Sequence, residues 1–275
     1  MRFNVEKNRE RGAGKDGILP VVIFIAMFLA AWEIAAKAKV FGGNSEIIFP
    51  PLEAIFKALV SAFTTGYAGT TLWVYIGNSM KLLLEGLLTG IGLSFVFSAL
   101  SMVSRTFRSI YNAVVAIFDL IPGVALLPIV IAIAGVKPAV IVLLVVHAVI
   151  WPMSRNMLDG FMAVPSIYLE AGENIGLKKT GLLFGVYIPA STSYIVSGLK
   201  VGWARAWRGL ISAEMIFGIA SCPGIGLYIN QMRTNLNNAE VFAALIVIII
   251  IGLIVQYGVL MPIEKNTVVK WGMFG

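Results

Sequence analysis

Of the 275 residues, 59% are hydrophobic and only 13% charged, and the mean hydropathy is +0.89. A soluble domain carries about 25% charge, so the composition excludes a free-standing globular enzyme or binding module and marks an integral membrane protein. The net charge of +7 sits beside apolar stretches rather than in a polar domain, which excludes a nucleic-acid partner and leaves topology and lipid headgroups as its cause.

The length holds about six helical spans of roughly 20 residues each, an all-α polytopic architecture. Met1 to Gly17 is polar and rich in Arg and Lys, which places it in the cytoplasm by the positive-inside rule. Its Gly12, Gly14 and Lys15 fall short of a phosphate loop, because Arg9 and Asp16 stand where Gly and Ser or Thr are needed. Ile18 to Ala36 is the first span, read as an uncleaved anchor despite Ala36-Lys37-Ala38, and Glu33 and Lys37 are spaced to pair on one helix face. Phe41 to Gly66 is external. After Pro50-Pro51, the spacing of Leu52, Ile55, Phe56, Leu59, Val60 and Phe63 predicts a short amphipathic helix lying over the bundle.

Thr71 to Leu100 is the second span, carrying Lys81 and Glu85, and Ser101 to Ser109 with Arg105 and Arg108 returns to the cytoplasm. The third span, Ile110 to Ala134, contains Asp119, Pro122, Gly123 and Pro128. Prolines at membrane depth strip carbonyls of their donors, so this span should face the bundle interior, Asp119 with it. Ala139 to Pro152 is the fourth span, and its lone His147 reads as a packed, hydrogen-bonded residue.

Arg155 marks the cytoplasmic side again, and residues 156–189 form a mostly polar hairpin. Pro165 is placed to open a helix, Gly176 to close it, Thr180 to cap a second and Pro189 to end it. The fifth span, Ala190 to Phe217, holds Lys200, Arg205, Arg208 and Glu214. At 100° per residue Lys200 and Glu214 lie within about 40°, and Arg208 within about 80° of Lys200, giving one charged face. Ionisable groups at that depth are candidates for a translocation pathway, as are Asp119 and Pro122, although a structural clamp is open too. Ser221 to Glu240 is external, with Cys222 incidental. As the single cysteine it permits neither an internal disulfide nor a cysteine metal cluster. Val241 to Met261 is the sixth span, stopped by Pro262. Both termini thus come out cytoplasmic, and the transmembrane core runs over residues 18–262 with a short tail over 263–275.

The hairpin carries a family resemblance. Glu170-Ala171-Gly172, then Gly176, then Val186, Ile188 and Pro189 follow the cytoplasmic-loop pattern of permease subunits of binding-protein-dependent ABC importers, with Gly172 in place of the second alanine. Phe49-Pro50-Pro51, the run Ile121 to Pro128, Gly198-Leu199-Lys200 and Ser212-Ala213-Glu214-Met215 resemble the nitrate, sulfonate and taurine group, with Lys200 where that group usually has arginine. The resemblance implies a type I importer permease fold, a homodimer, and two separate ATPase subunits that carry ATP and Mg. It also implies an external binding protein, a prokaryotic cytoplasmic membrane and a small anionic solute. It places Glu170, Ala171, Gly172, Gly176, Leu177 and Pro189 at the ATPase contact. This chain is then a permease without its own nucleotide site, cofactor or metal. An ion-coupled secondary transporter is the alternative, but it favours paired broken helices, and only one proline-rich span is evident. A membrane enzyme lacks a nucleophile or metal constellation.

Overall fold

Apolar stretches in hydrocarbon must satisfy their own backbone groups, and here they do so as helices. The computed structural model describes residues 18–40, 42–270 and 272. The expected cytoplasmic segment 1–17 and most of the last five residues lie outside them.

In chain order the helices are α1 (Ile18–Lys37), α2 (Leu52–Thr64), α3 (Leu72–Val103), α4 (Arg105–Phe118), α5 (Gly123–Ala134), α6 (Pro138–Met162), α7 (Ser166–Asn174), α8 (Lys179–Ala190), α9 (Thr192–Ile216), α10 (Ile225–Thr234) and α11 (Asn238–Val269). Four of them, α1, α3, α6 and α11, are long and apolar enough to cross a membrane alone. Two bent pairs, α4 with α5 at 99° and α8 with α9 at 71°, bring the number up to six. The all-α, roughly six-span architecture is as expected, but several boundaries move.

The third span is not one helix. Pro122 (φ −62°, ψ 123°) has no N–H and disfavours helix at the residue before it, so the chain leaves helix after Phe118 and restarts at Gly123. The connector expected over Ser101 to Ser109 is helical on both sides of Ser104, whose side chain accepts the Phe107 N–H at 3.2 Å and caps α4. The fourth span runs on through Pro152 to Met162, because Pro152 is buried among protein neighbours where one lost backbone bond is tolerated. The hairpin therefore begins after Met162, later than residue 156. Pro262 does not stop the last span either. The widened turn Gln256–Leu260 precedes it, so the proline opens the short segment Met261–Glu264, where a missing N–H costs little.

The core is the triplet α3, α6 and α9, with α6 the most buried of the spanning helices. Close approach is bought by small residues. A Cβ on Gly86 would stand 2.4 Å from Val145 Cγ1, one on Gly90 2.9 Å from Val149 Cβ, and one on Gly198 2.9 Å from Asn156 Cβ. Glycines four apart on α3 admit the valines of α6, the packing mode by which membrane helices gain dispersion contacts without a hydrophobic drive. Ser94 Oγ extends the seam, donating to the Gly90 carbonyl and sitting 3.1 Å from that of Ile150.

At the α1 end, Glu33 pairs with Lys37 at 3.0 Å as expected, and it also accepts the Leu52 N–H at 2.9 Å, anchoring the start of α2. Helix α2 packs on α11 through Ile55, Ala58 and Ala62, whereas Phe56 and Val60 of the expected apolar stripe face outward. The alanines allow closer approach than the larger side chains would.

Candidate functional site

Helices α7 and α8 form the hairpin. Helix α7 starts directly after Pro165 and ends at Gly176, whose φ of +87° is open to glycine and costly for other residues. The Gly176 N–H donates to the Glu173 carbonyl (2.9 Å) and the Leu177 N–H to the Gly172 carbonyl (3.0 Å), which closes the helix as a Schellman motif. Leu177 then packs into a hole lined by glycines. Cβ atoms built on Gly172, Gly181 and Gly185 would lie 3.4, 3.2 and 3.6 Å from its side chain. Gly172 also admits Leu182, whose Cδ2 would stand 2.7 Å from such a Cβ. Thr180 is not the cap of α8, which opens one residue earlier behind an extended Lys178. Pro189 lies in the last turn, following the wide turn Leu183–Tyr187, and the chain bends into α9 at Ser191. Glu170 and Ala171 are exposed, beside Ile167, Tyr168 and Ile175, the last 78% exposed. The outer face thus sets Glu170, with Glu173 three residues on, beside apolar side chains on a rigid two-helix frame.

A cleft of about 360 Å³ opens at the α4–α5 break, about halfway along α6 and α9. Asp119, Pro122, His147, Trp151, Arg205 and Arg208 line it. The Asp119 carboxylate is buried and held by Arg205 and by Arg155 of α6, the latter at 3.3 Å. Arg155, read from sequence only as a topology marker, is therefore a structural partner of the break. Arg208, one turn on from Arg205, is exposed, and its guanidinium has neither a carboxylate nor a hydrogen-bond partner among the described residues. His147 is packed as expected, edge-on to Trp151 at 5.7 Å and beside Gly123, but its buried Nε2 finds no hydrogen-bond partner among the described residues, nor does the buried Trp151 Nε1.

The charged face expected on α9 divides in three. Arg205 and Arg208 reach the cleft. Lys200 instead pairs with Glu264 at the end of α11, at 2.5 Å. Glu214 is 1% exposed and turned toward α3, where it accepts from Ser79 Oγ at 2.8 Å and from the Gly226 N–H at 2.9 Å. Ser79 Oγ in turn accepts the Ile225 N–H at 2.9 Å, and Asn78 Nδ2 donates to the Pro223 carbonyl at 2.9 Å. This network pins the turn before α10, where a Cβ on Gly224 would stand 2.1 Å from Glu214 Oε1. Arg205 and Arg208 are three residues apart, which puts both on one side of a helix, and that spacing was the available signal for the cleft. Nothing in the sequence paired Asp119 with Arg155.

Residues 86–261, from the α3 seam to the start of the short segment after the last wide turn, match the family model described as the binding-protein-dependent transport system inner membrane component. The chain belongs to this family. The permease is 24% identical over 234 residues to the taurine transport system permease protein TauC of Escherichia coli, covering 85% of this chain and 83% of that one. It is 27% identical over 244 residues to the nitrate import permease protein NrtB of Synechocystis, covering 87% and 86%. It is 28% identical over 236 residues to a putative ABC transporter permease of Methanocaldococcus jannaschii, covering 85% of each. Both sites of the permease, hairpin and cleft, fall inside the matched region. It is an ABC importer permease, a multi-pass transport subunit rather than an enzyme.

Proposed function

We propose that the permease carries a small anion inward through a homodimer, driven by two separate ATPase subunits that hold ATP and Mg and grip the α7–α8 hairpin. An external binding protein delivers the solute. The observation that carries this reading is the hairpin itself: two helices locked by the Schellman closure and the Leu177 packing, ending directly in α9, with Glu170 and its apolar neighbours outward. A frame of that rigidity passes a push from its outer face to α6 and α9, whereas a slack loop would absorb it. Arg105, Arg108, Lys178 and Lys179 support a cytoplasmic hairpin, and with it cytoplasmic ends at residues 1–17 and 263–275 in a prokaryotic inner membrane. Arg208, without a partner among the described residues and lining a cleft at mid-helix, supports an anion, as does the nitrate in one relative's name. Asp119, Pro122 and Arg205 complete that stretch of pathway, while Lys200 and Glu214 act as clamps.

Glu170→Ala tests the reading in vesicles that hold the permease, the ATPase and the binding protein. The expected result is at least a tenfold loss of ATP-dependent uptake together with weaker co-purification of the ATPase. Unchanged uptake and assembly would remove the coupling assignment.

A further inference from the structure

We propose that the groove between the C-terminal half of α3 and the α7–α8 hairpin holds one membrane phospholipid whose headgroup joins a phosphate to a primary ammonium. The proposal rests on the reading of the hairpin as cytoplasmic, which sets the groove at the inner leaflet.

The acyl chain is specified by the walls. Val96, Leu100 and Val103 follow one another at spacings of four and three, so they share one face of α3, and they are 48%, 46% and 64% exposed. Leu183 and Tyr187 of α8 form the facing wall. A ring contact between Phe95 and Phe184, with centroids 6.0 Å apart, joins the two helices. Every α3 side chain that lines the groove is apolar. At about 460 Å³ the groove takes roughly fifteen groups the size of a water molecule, at about 30 Å³ each, which suits one acyl chain and not a whole lipid. Filling it with a chain gives the exposed α3 face dispersion contacts along its length.

The headgroup is specified by charge. The polar side chains of the groove gather at the junction of the two hairpin helices: Glu173 in the last turn of α7, Lys179 and Thr180 in the first turn of α8. Glu173 and Lys179 are exposed, and neither forms an ion pair among the described residues. Hydrocarbon on one wall and a separate polar end make the polarity of a lipid rather than of a water-soluble solute. Lys179 is suited to a phosphate, and the Thr180 hydroxyl adds a donor.

Glu173 narrows the choice. A headgroup that is only anionic satisfies Lys179 but sets its charge near a carboxylate, a like-charge contact that selects against it. A primary ammonium meets that carboxylate with N–H donors, whereas a trimethylated one keeps the charge and offers none. Charge and hydrogen bonding together therefore favour phosphatidylethanolamine over phosphatidylglycerol and phosphatidylcholine. With α3 on one side and both hairpin helices on the other, such a lipid braces the hairpin against the bundle.

The test is native mass spectrometry of the permease–ATPase complex, titrated in detergent with the dioleoyl forms of these three lipids. Retained lipid is scored on every species that contains the permease. The expected result is one phosphatidylethanolamine per permease chain, bound about tenfold tighter than either of the others. Lys179→Gln weakens all three lipids, and Glu173→Gln removes the preference for phosphatidylethanolamine over phosphatidylglycerol while leaving retention of the latter intact. Phosphatidylglycerol or phosphatidylcholine bound as tightly would overturn the proposal, as would no retained lipid or a preference that survives Glu173→Gln. Lipid carried by the free permease but absent from the complex would give the groove to the ATPase instead. The wild-type comparison needs no variant to fold. A complex that assembles without selecting a lipid sinks this inference alone, whereas failure to assemble counts against the coupling reading and leaves the lipid comparison standing on the permease.

Discussion

At the scale of single residues, the charges of α9 illustrate how one helix divides its work. Arg205 and Arg208 face the cleft, Lys200 ties α9 to the end of α11, and Glu214 holds the turn before α10. Composition and periodicity made all four visible as unusual, because charge at membrane depth is costly. What they could not supply was the partner on another helix: Ser79 is an unremarked serine in α3, and Arg155 resembles any cytoplasmic arginine. Ser79 is the more exacting of the two, since it donates to Glu214 while accepting the Ile225 N–H. Ser79→Ala leaves both groups short of a partner in a buried place and should destabilise the permease by about 1–3 kcal/mol. Thermal unfolding in detergent measures this, and an unchanged midpoint would mean that the network has no structural weight.

At the scale of elements, proline and glycine were read correctly in kind and less well in consequence. Pro122 breaks a span as its chemistry demands, and Gly176 closes α7 with a left-handed backbone. Pro152 and Pro262 look the same in sequence but leave their helices running, one because its surroundings are protein and the other because a wide turn places it first in the next segment. Burial and turn width depend on neighbours, and neighbours are not written in a local window. The α3–α6 seam was legible in principle, as Gly86 and Gly90 stand four apart, but nothing local names Val145 and Val149 as the residues they admit. Gly176→Ala tests the hairpin closure. A left-handed alanine costs roughly 1–2 kcal/mol, so hydrogen exchange of the Leu177 and Gly176 amides should quicken about tenfold, while α3 and α6 amides stay as protected as before. Equal exchange in both proteins would show that the closure does not govern hairpin stability.

For the whole molecule, the sequence carried the class and the span count, because hydropathy and positive-charge bias act over long stretches and do not depend on partners. The family pattern lay in the hairpin, where spacing is local, and the match over residues 86–261 agrees with it. The cleft was only half legible, since it depends on a 99° bend that brings Asp119 to Arg155 and Arg205. In the proposed coupling the ATPase holds the permease at the hairpin end of the bundle and not at the α10 end. Cys222 is the single cysteine, with a thiol pushed up by burial, so Cys222→Ser gives a clean background. In that background Ala171→Cys and Asn235→Cys place one reporter at each end of α9, and short bifunctional crosslinking to the ATPase subunit compares them. A strong, nucleotide-dependent crosslink is expected from Ala171→Cys and none from Asn235→Cys; the reverse pattern, or equal yields from both, would show that the hairpin is not where the ATPase binds.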